Sequence, residues 1–195
     1  MEPDDDIQLM LELKKGNEKA FDEIVRRFQK KILNLIYRYL STNYLFADDL
    51  AQEVFLRVYK SRDSYKPTAK LSTWIFRIAI NLCLNEQRAA KPAQFSSLST
   101  SKDENSDDFA SSGIRDEKNL PPPEELERKE LRRAVKSAID NLPEKQKLAI
   151  ILNKYEQMSY EDIARTMGIS VEAVKSILFR ARENLKIALI KYIKK

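Results

Sequence analysis

The sequence contains no histidine and a single cysteine, Cys83. Those shortages exclude disulfide frameworks, Cys/His zinc centres, Ser-His-Asp triads and Cys-His dyads. Carboxylate- or lysine-based catalysis stays open, but the common catalytic routes are closed. A lone thiol fits a reducing, cytoplasmic setting. Glycine is scarce, at three residues. No apolar run approaches the roughly 20 residues that a membrane helix requires. The start, Met1-Glu2-Pro3-Asp4, is acidic and unlike a signal peptide. What remains is 33% charged and 43% hydrophobic over 195 residues, the composition of a soluble, helix-rich protein of one medium or two small domains.

The charge is uneven. Residues 1–90 carry a net +2, residues 91–130 a net −4, and residues 131–195 a net +7. A basic end beside an acidic middle suits a polyanion-binding part, although a solvated lysine-rich helix surface would have the same balance. Between Lys91 and Pro123 serines, acids and three consecutive prolines replace apolar residues. Such a segment cannot repay the entropy of ordering. It reads as a flexible linker over 91–123, between domains at 1–90 and 124–195.

Both domains read as helical, giving an all-α protein. In the first, Phe21, Ile24, Val25, Phe28, Ile32, Leu35, Ile36 and Tyr39 recur at spacings of three and four. Asn17 is placed to cap that helix. Further helices are expected over about 47–61 and 72–89, the second with Trp74, Ile75, Ile78, Ala79 and Leu82 facing the core. In the second domain Leu131, Ala134, Val135, Ala138, Ile139 and Leu142 form one stripe, and Pro143 suits the first turn of the next helix. Ser159-Tyr160-Glu161-Asp162 resembles a capping box with aspartate in the glutamate position.

From Tyr160 to Arg182 the spacing is that of a helix-turn-helix. Ala164 is small, Gly168 follows four residues later, and Val174 and Ile177 come ten and thirteen after Ala164. An ordinary helical hairpin is the plain alternative. In the helix-turn-helix reading the second helix turns Ser170, Glu172, Lys175, Ser176, Phe179 and Arg180 outward, toward the major groove. Arg180 can bind guanine in bidentate fashion, Ser176 a base edge or phosphate, and Phe179 a thymine methyl. Lys175 and Arg182 suit phosphates. In the first domain Asp49, Gln52 and Glu53 share a helical face, with Leu56 and Tyr59 beside them. That mixture suits a partner surface as well as water.

Five blocks occur in order: Asp-Asp-Leu-Ala-Gln-Glu-Val-Phe-Leu-Arg (48–57), Ser-Thr-Trp-Ile-Phe-Arg-Ile-Ala-Ile-Asn-Leu (72–82), Leu-Pro-Glu-Lys-Gln-Lys-Leu-Ala (142–149), Ser-Tyr-Glu-Asp-Ile-Ala (159–164) and Val-Lys-Ser-Ile-Leu-Phe-Arg-Ala-Arg-Glu (174–183). Together they resemble the extracytoplasmic-function (ECF) family of bacterial RNA polymerase sigma factors, over about residues 15–90 and 125–190. The resemblance implies a region 2 bundle and a region 4 helix-turn-helix. It also implies a transcription initiation factor, not an enzyme and without a metal or cofactor, that binds core polymerase, directs it to −35 and −10 elements and helps to open the DNA.

By the same resemblance, Asp49, Gln52, Glu53 and Arg57 stand where the family docks on the β′ coiled coil, and region 4 faces the β flap. The loop before the tryptophan helix, about 64–71, corresponds to the pocket for a flipped −10 base. There Tyr65 is expected to stack, Lys66, Lys70 and Arg77 to hold phosphates, and Asn81 to read a base edge. Ser170, Lys175, Ser176, Phe179, Arg180 and Arg182 fall in the −35 reader. The implied partners are core polymerase, promoter DNA and an anti-sigma factor, with the chain a monomer when free of them. A stand-alone dimeric helix-turn-helix repressor and a protein-only helical adaptor are the competing readings.

Overall fold

The computed structural model describes residues 3–41, 46–93 and 122–193, and no strand occurs among them. The linker expected over 91–123 lies largely outside the described residues. Four helices precede it: α1 (Pro3–Lys14), α2 (Glu18–Leu40), α3 (Ala47–Lys60) and α4 (Leu71–Ala93), with a 3₁₀ turn at Arg62–Ser64. After it come α5 (Pro122–Asp140), α6 (Glu144–Ile150), a π turn (Ile151–Tyr155), α7 (Tyr160–Met167), α8 (Val171–Ala188) and the short α9 (Ile190–Ile193).

The apolar stripe of α2 buries Ile24, Phe28, Ile32, Leu35, Ile36 and Tyr39, while Phe21 and Val25 are half-buried at its margin. Against it pack Leu50, Val54 and Val58 of α3 and Ile75, Ala79 and Leu82 of α4. α1 adds Met10 and Leu13, both fully buried. Arg27 of α2 ties it down, donating to Asp6 at 2.7 Å and to Glu23 at 2.6 Å.

Four local expectations are corrected or refined. Asn17 is the N-cap of α2, but its side chain makes no cap bond; Nδ2 donates instead to Glu12 at 2.9 Å. Trp74 and Ile78 face the core as expected but are only half-buried, and Thr73 and Phe76 take buried positions beside them. α4 continues to Ala93, past the expected end near Ala89 and through Pro92. Pro143 is the N-cap rather than a residue of the first turn, and α6 starts at Glu144. Pro122 and Pro123 open α5, where a missing N–H costs nothing.

The two helical domains pack on each other. Leu148 of α6 meets Leu35, Tyr39, Ile80 and Cys83 around one small gap. Arg38 of α2 stacks over the Tyr155 ring of the π turn, 3.9 Å from its centroid. The Tyr39 hydroxyl donates to Glu144 at 3.1 Å, and Lys147 reaches back to Asp140 at 2.9 Å and to Ser41. Ser41 in turn donates to Asp140. α7 lies against α4.

Candidate nucleic-acid interface

The turn between α7 and α8 is built as the spacing predicts. Ser159 caps α7, its Oγ accepting from the Asp162 backbone N–H at 3.1 Å. Gly168 ends the helix in the left-handed region, φ +67°, where a Cβ would be strained. Ser170 caps α8, its Oγ accepting from the Ala173 N–H at 3.2 Å. Ile163, Ala164, Val174 and Leu178 are buried between the helices, with Met167, Ile169 and Ile177 partly so.

The expected capping box is only half formed. The Asp162 carboxylate does not return to the Ser159 backbone. It accepts from Ser159 Oγ at 3.0 Å and from Lys70 and Thr73 of the other domain, at 2.9 and 3.5 Å. Burial pushes this carboxyl up, but the Lys70 and Ser159 hydrogen bonds and the Lys70 and Arg165 charges outweigh it and hold it below the ordinary value.

The outward face of α8 is as read. Val174, Leu178 and Ala181 are buried, while Ser170, Lys175, Ser176, Phe179, Arg180 and Arg182 are exposed. Phe179 shows 65% of its surface to solvent, a large aromatic commitment for an unpartnered side chain. Arg182 is not free: its Nη2 donates to the Tyr160 hydroxyl at 3.0 Å, bracing α8 against α7.

On α3, Asp49, Gln52 and Arg57 are exposed and Glu53 is half-exposed, on the side opposite Leu50, Val54 and Val58. Arg57 donates to Glu53 at 2.8 Å, which holds the carboxyl below its ordinary value. Leu56 stands exposed beside them. The four polar residues therefore share one face.

The loop before α4 departs from expectation. Tyr65, expected to offer its ring to a base, is only 3% exposed and packs edge-on against Trp74, centroids 5.1 Å apart. Its hydroxyl has no partner among the described residues, and burial pushes it above its ordinary value. Lys70 is engaged with Asp162, although its side chain is half-exposed. Lys66, Arg77 and Asn81 are exposed, the last two one helical turn apart on α4. Sequence reasoning assigned no role to Thr73 or to Asp162 beyond its cap. Their partners are about ninety residues away in the chain, and no local pattern signals such a pairing.

A buried hairpin of two helices, presenting arginine, lysine and an aromatic ring on its outer face, places this chain among the helix-turn-helix DNA-binding proteins. Residues 24–92 match the Sigma-70 region 2 family and residues 132–185 the Sigma-70, region 4 family. The chain is 37% identical to the ECF RNA polymerase sigma-E factor of Haemophilus influenzae over 183 residues, 93% of each chain. It is 34% identical to the RNA polymerase sigma-H factor of Pseudomonas aeruginosa over 186 residues, 94% of this chain and 93% of that one. Its fold resembles that of CnrH in complex with the cytosolic domain of CnrY, with a TM-score of 0.68 at 24% identity, over 95% of this chain and 97% of that one. It likewise resembles sigma factor RpoE in complex with the anti-sigma factor NepR from Bartonella quintana, with a TM-score of 0.65 at 24% identity, over 88% and 97%.

The chain belongs to the ECF family of RNA polymerase sigma factors, and it is a promoter-directing transcription initiation factor. Nothing in these likenesses supports the stand-alone repressor. No described helix is long and apolar enough to cross a membrane.

Proposed function

We propose that the α3 face of Asp49, Gln52, Glu53 and Arg57 docks on the β′ coiled coil of core polymerase, and that region 4 engages the β flap. Lys66, Lys70, Arg77 and Asn81 then meet the −10 strand, and Tyr65 joins them only after its ring leaves Trp74. Ser170, Lys175, Ser176, Phe179, Arg180 and Arg182 meet the −35 element. In this reading 1–90 and 124–195 act as separate units of the holoenzyme joined by 91–123, opening the duplex without any catalysis of their own. An anti-sigma factor is the proposed regulator.

The observation that supports this most directly is the division of α8 into a buried face of Val174, Leu178 and Ala181 and an exposed face bearing Phe179 and Arg180. The test is holoenzyme binding to matched and mutated −35 duplexes across a salt series. Arg180→Ala is expected to cost about 1–3 kcal/mol on the matched element and little on the mutated one. Arg182→Ala is expected to weaken both alike and to flatten the log–log salt slope by about one unit. Equal losses on both duplexes for Arg180→Ala would make it a backbone contact. No loss on either would remove α8 from the groove.

A further inference from the structure

Asp162 sits on the first helix of the helix-turn-helix and is only 6% exposed. Its carboxylate is shared between its own domain and the other. Lys70 Nζ donates to one carboxylate oxygen at 2.9 Å and Thr73 Oγ1 to the other at 3.5 Å. On its own side, Ser159 Oγ donates at 3.0 Å and Arg165 Nη1 lies 3.7 Å away. Lys70 directly precedes α4 and Thr73 is in its first turn. The carboxylate therefore lies where a helix start, an ammonium and a hydroxyl together favour a negative group.

A carboxylate and a phosphodiester offer the same features there: one negative charge and two acceptor oxygens. We propose that Asp162 is an intramolecular decoy for a DNA phosphate, closing the helix-turn-helix onto α4 and withholding Lys70 from the promoter until the domains part. The proposal rests on the reading of Lys70 as a −10 phosphate contact. A second clasp supports the closed arrangement independently. Elsewhere in the interface Tyr39 bonds Glu144, Ser41 of the first domain bonds both Asp140 and Lys147 of the second, and Arg38 covers Tyr155. Polymerase or promoter binding has to be stronger in the open form to displace both clasps.

The test uses the full chain and two variants. Backbone amide exchange over residues 66–76 reads opening, and affinity for a single-stranded thymidine oligonucleotide reads the release of Lys70. Asp162→Asn is expected to speed exchange about tenfold and to tighten oligonucleotide binding about fivefold. Lys70→Gln, at the exposed end of the pair, leaves the α7 cap intact. It is expected to speed exchange as much while gaining no affinity. Unchanged exchange in both variants would overturn the clasp. Faster exchange in Asp162→Asn without tighter binding would overturn the decoy. The underlying reading is checked separately in polymerase holoenzyme, where undiminished −10 binding by Lys70→Gln would refute the Lys70 contact itself.

Discussion

At the residue scale, two side chains make opposite demands on the solvent. Glu53 is half-exposed and its ion pair among the described residues is with Arg57 on its own helix, so Glu53→Lys leaves the fold intact. Across a docked interface the reversed charge meets a surface arranged for a carboxylate. Core polymerase affinity is expected to fall by about 2 kcal/mol or more in a pull-down titration, with an unchanged melting curve. Tyr65 is the reverse case: its ring is buried and its hydroxyl is orphaned. An unpaired buried hydroxyl costs about 1–3 kcal/mol. Tyr65→Phe is therefore expected to raise the urea midpoint, by about 1 kcal/mol of stability, and a lowered midpoint would show that the hydroxyl has a partner. The difference between the two sites explains what could be read from sequence. Glu53 lies in a helix, where a period of 3.6 assigns a face to each residue. Tyr65 lies in a loop, which has no period, and there an aromatic ring can equally well be a core residue or a surface one.

At the scale of elements, the helix-turn-helix was the most legible part, because its geometry is enforced locally. Gly168 has φ +67° and nothing within 4 Å of an added Cβ, so the cost of a side chain there is conformational rather than steric. Gly168→Ala is expected to lose about 1–2 kcal/mol, and Gly168→Asn clearly less. Chemical denaturation checks the order of the two. The cap at Ser159 is similarly local, and Ser159→Ala is expected to cost about 1 kcal/mol. Long-range features were illegible. Asp162 reads as a cap residue because Ser159 is three positions away, whereas its Lys70 and Thr73 partners are brought near only by the packing of α7 on α4. The π turn at 151–155 likewise has no sequence signal of its own.

At the scale of the whole molecule, one group reports on folding and another on closure. Cys83 is 1% exposed, and burial pushes its thiol up to about 12, so almost no thiolate exists at neutral pH. A thiol reagent is expected to modify it only as fast as the bundle unfolds, and the labelling rate should follow the urea unfolding curve. Rapid labelling without denaturant would mean that the α4 core opens locally. Closure depends in part on Asp162, whose folded value lies below the ordinary 3.8. The groups facing it are Lys70, Thr73, Ser159 and Arg165. A depressed carboxyl stabilises the folded arrangement above its unfolded value and ceases to do so as pH falls through the folded one. The radius of gyration is therefore expected to stay constant near neutrality and to grow only below about pH 4 by small-angle scattering. Growth between about pH 6 and 8 would assign closure to some other group. The Lys70–Asp162 pair also has an evolutionary side. If one lysine both holds a promoter strand and fastens the resting protein, no substitution at position 70 can retune promoter preference alone. Each such change also alters how often the idle factor springs open, so a lineage adjusting its set of target genes would drift in background transcription unless position 162 changed with it.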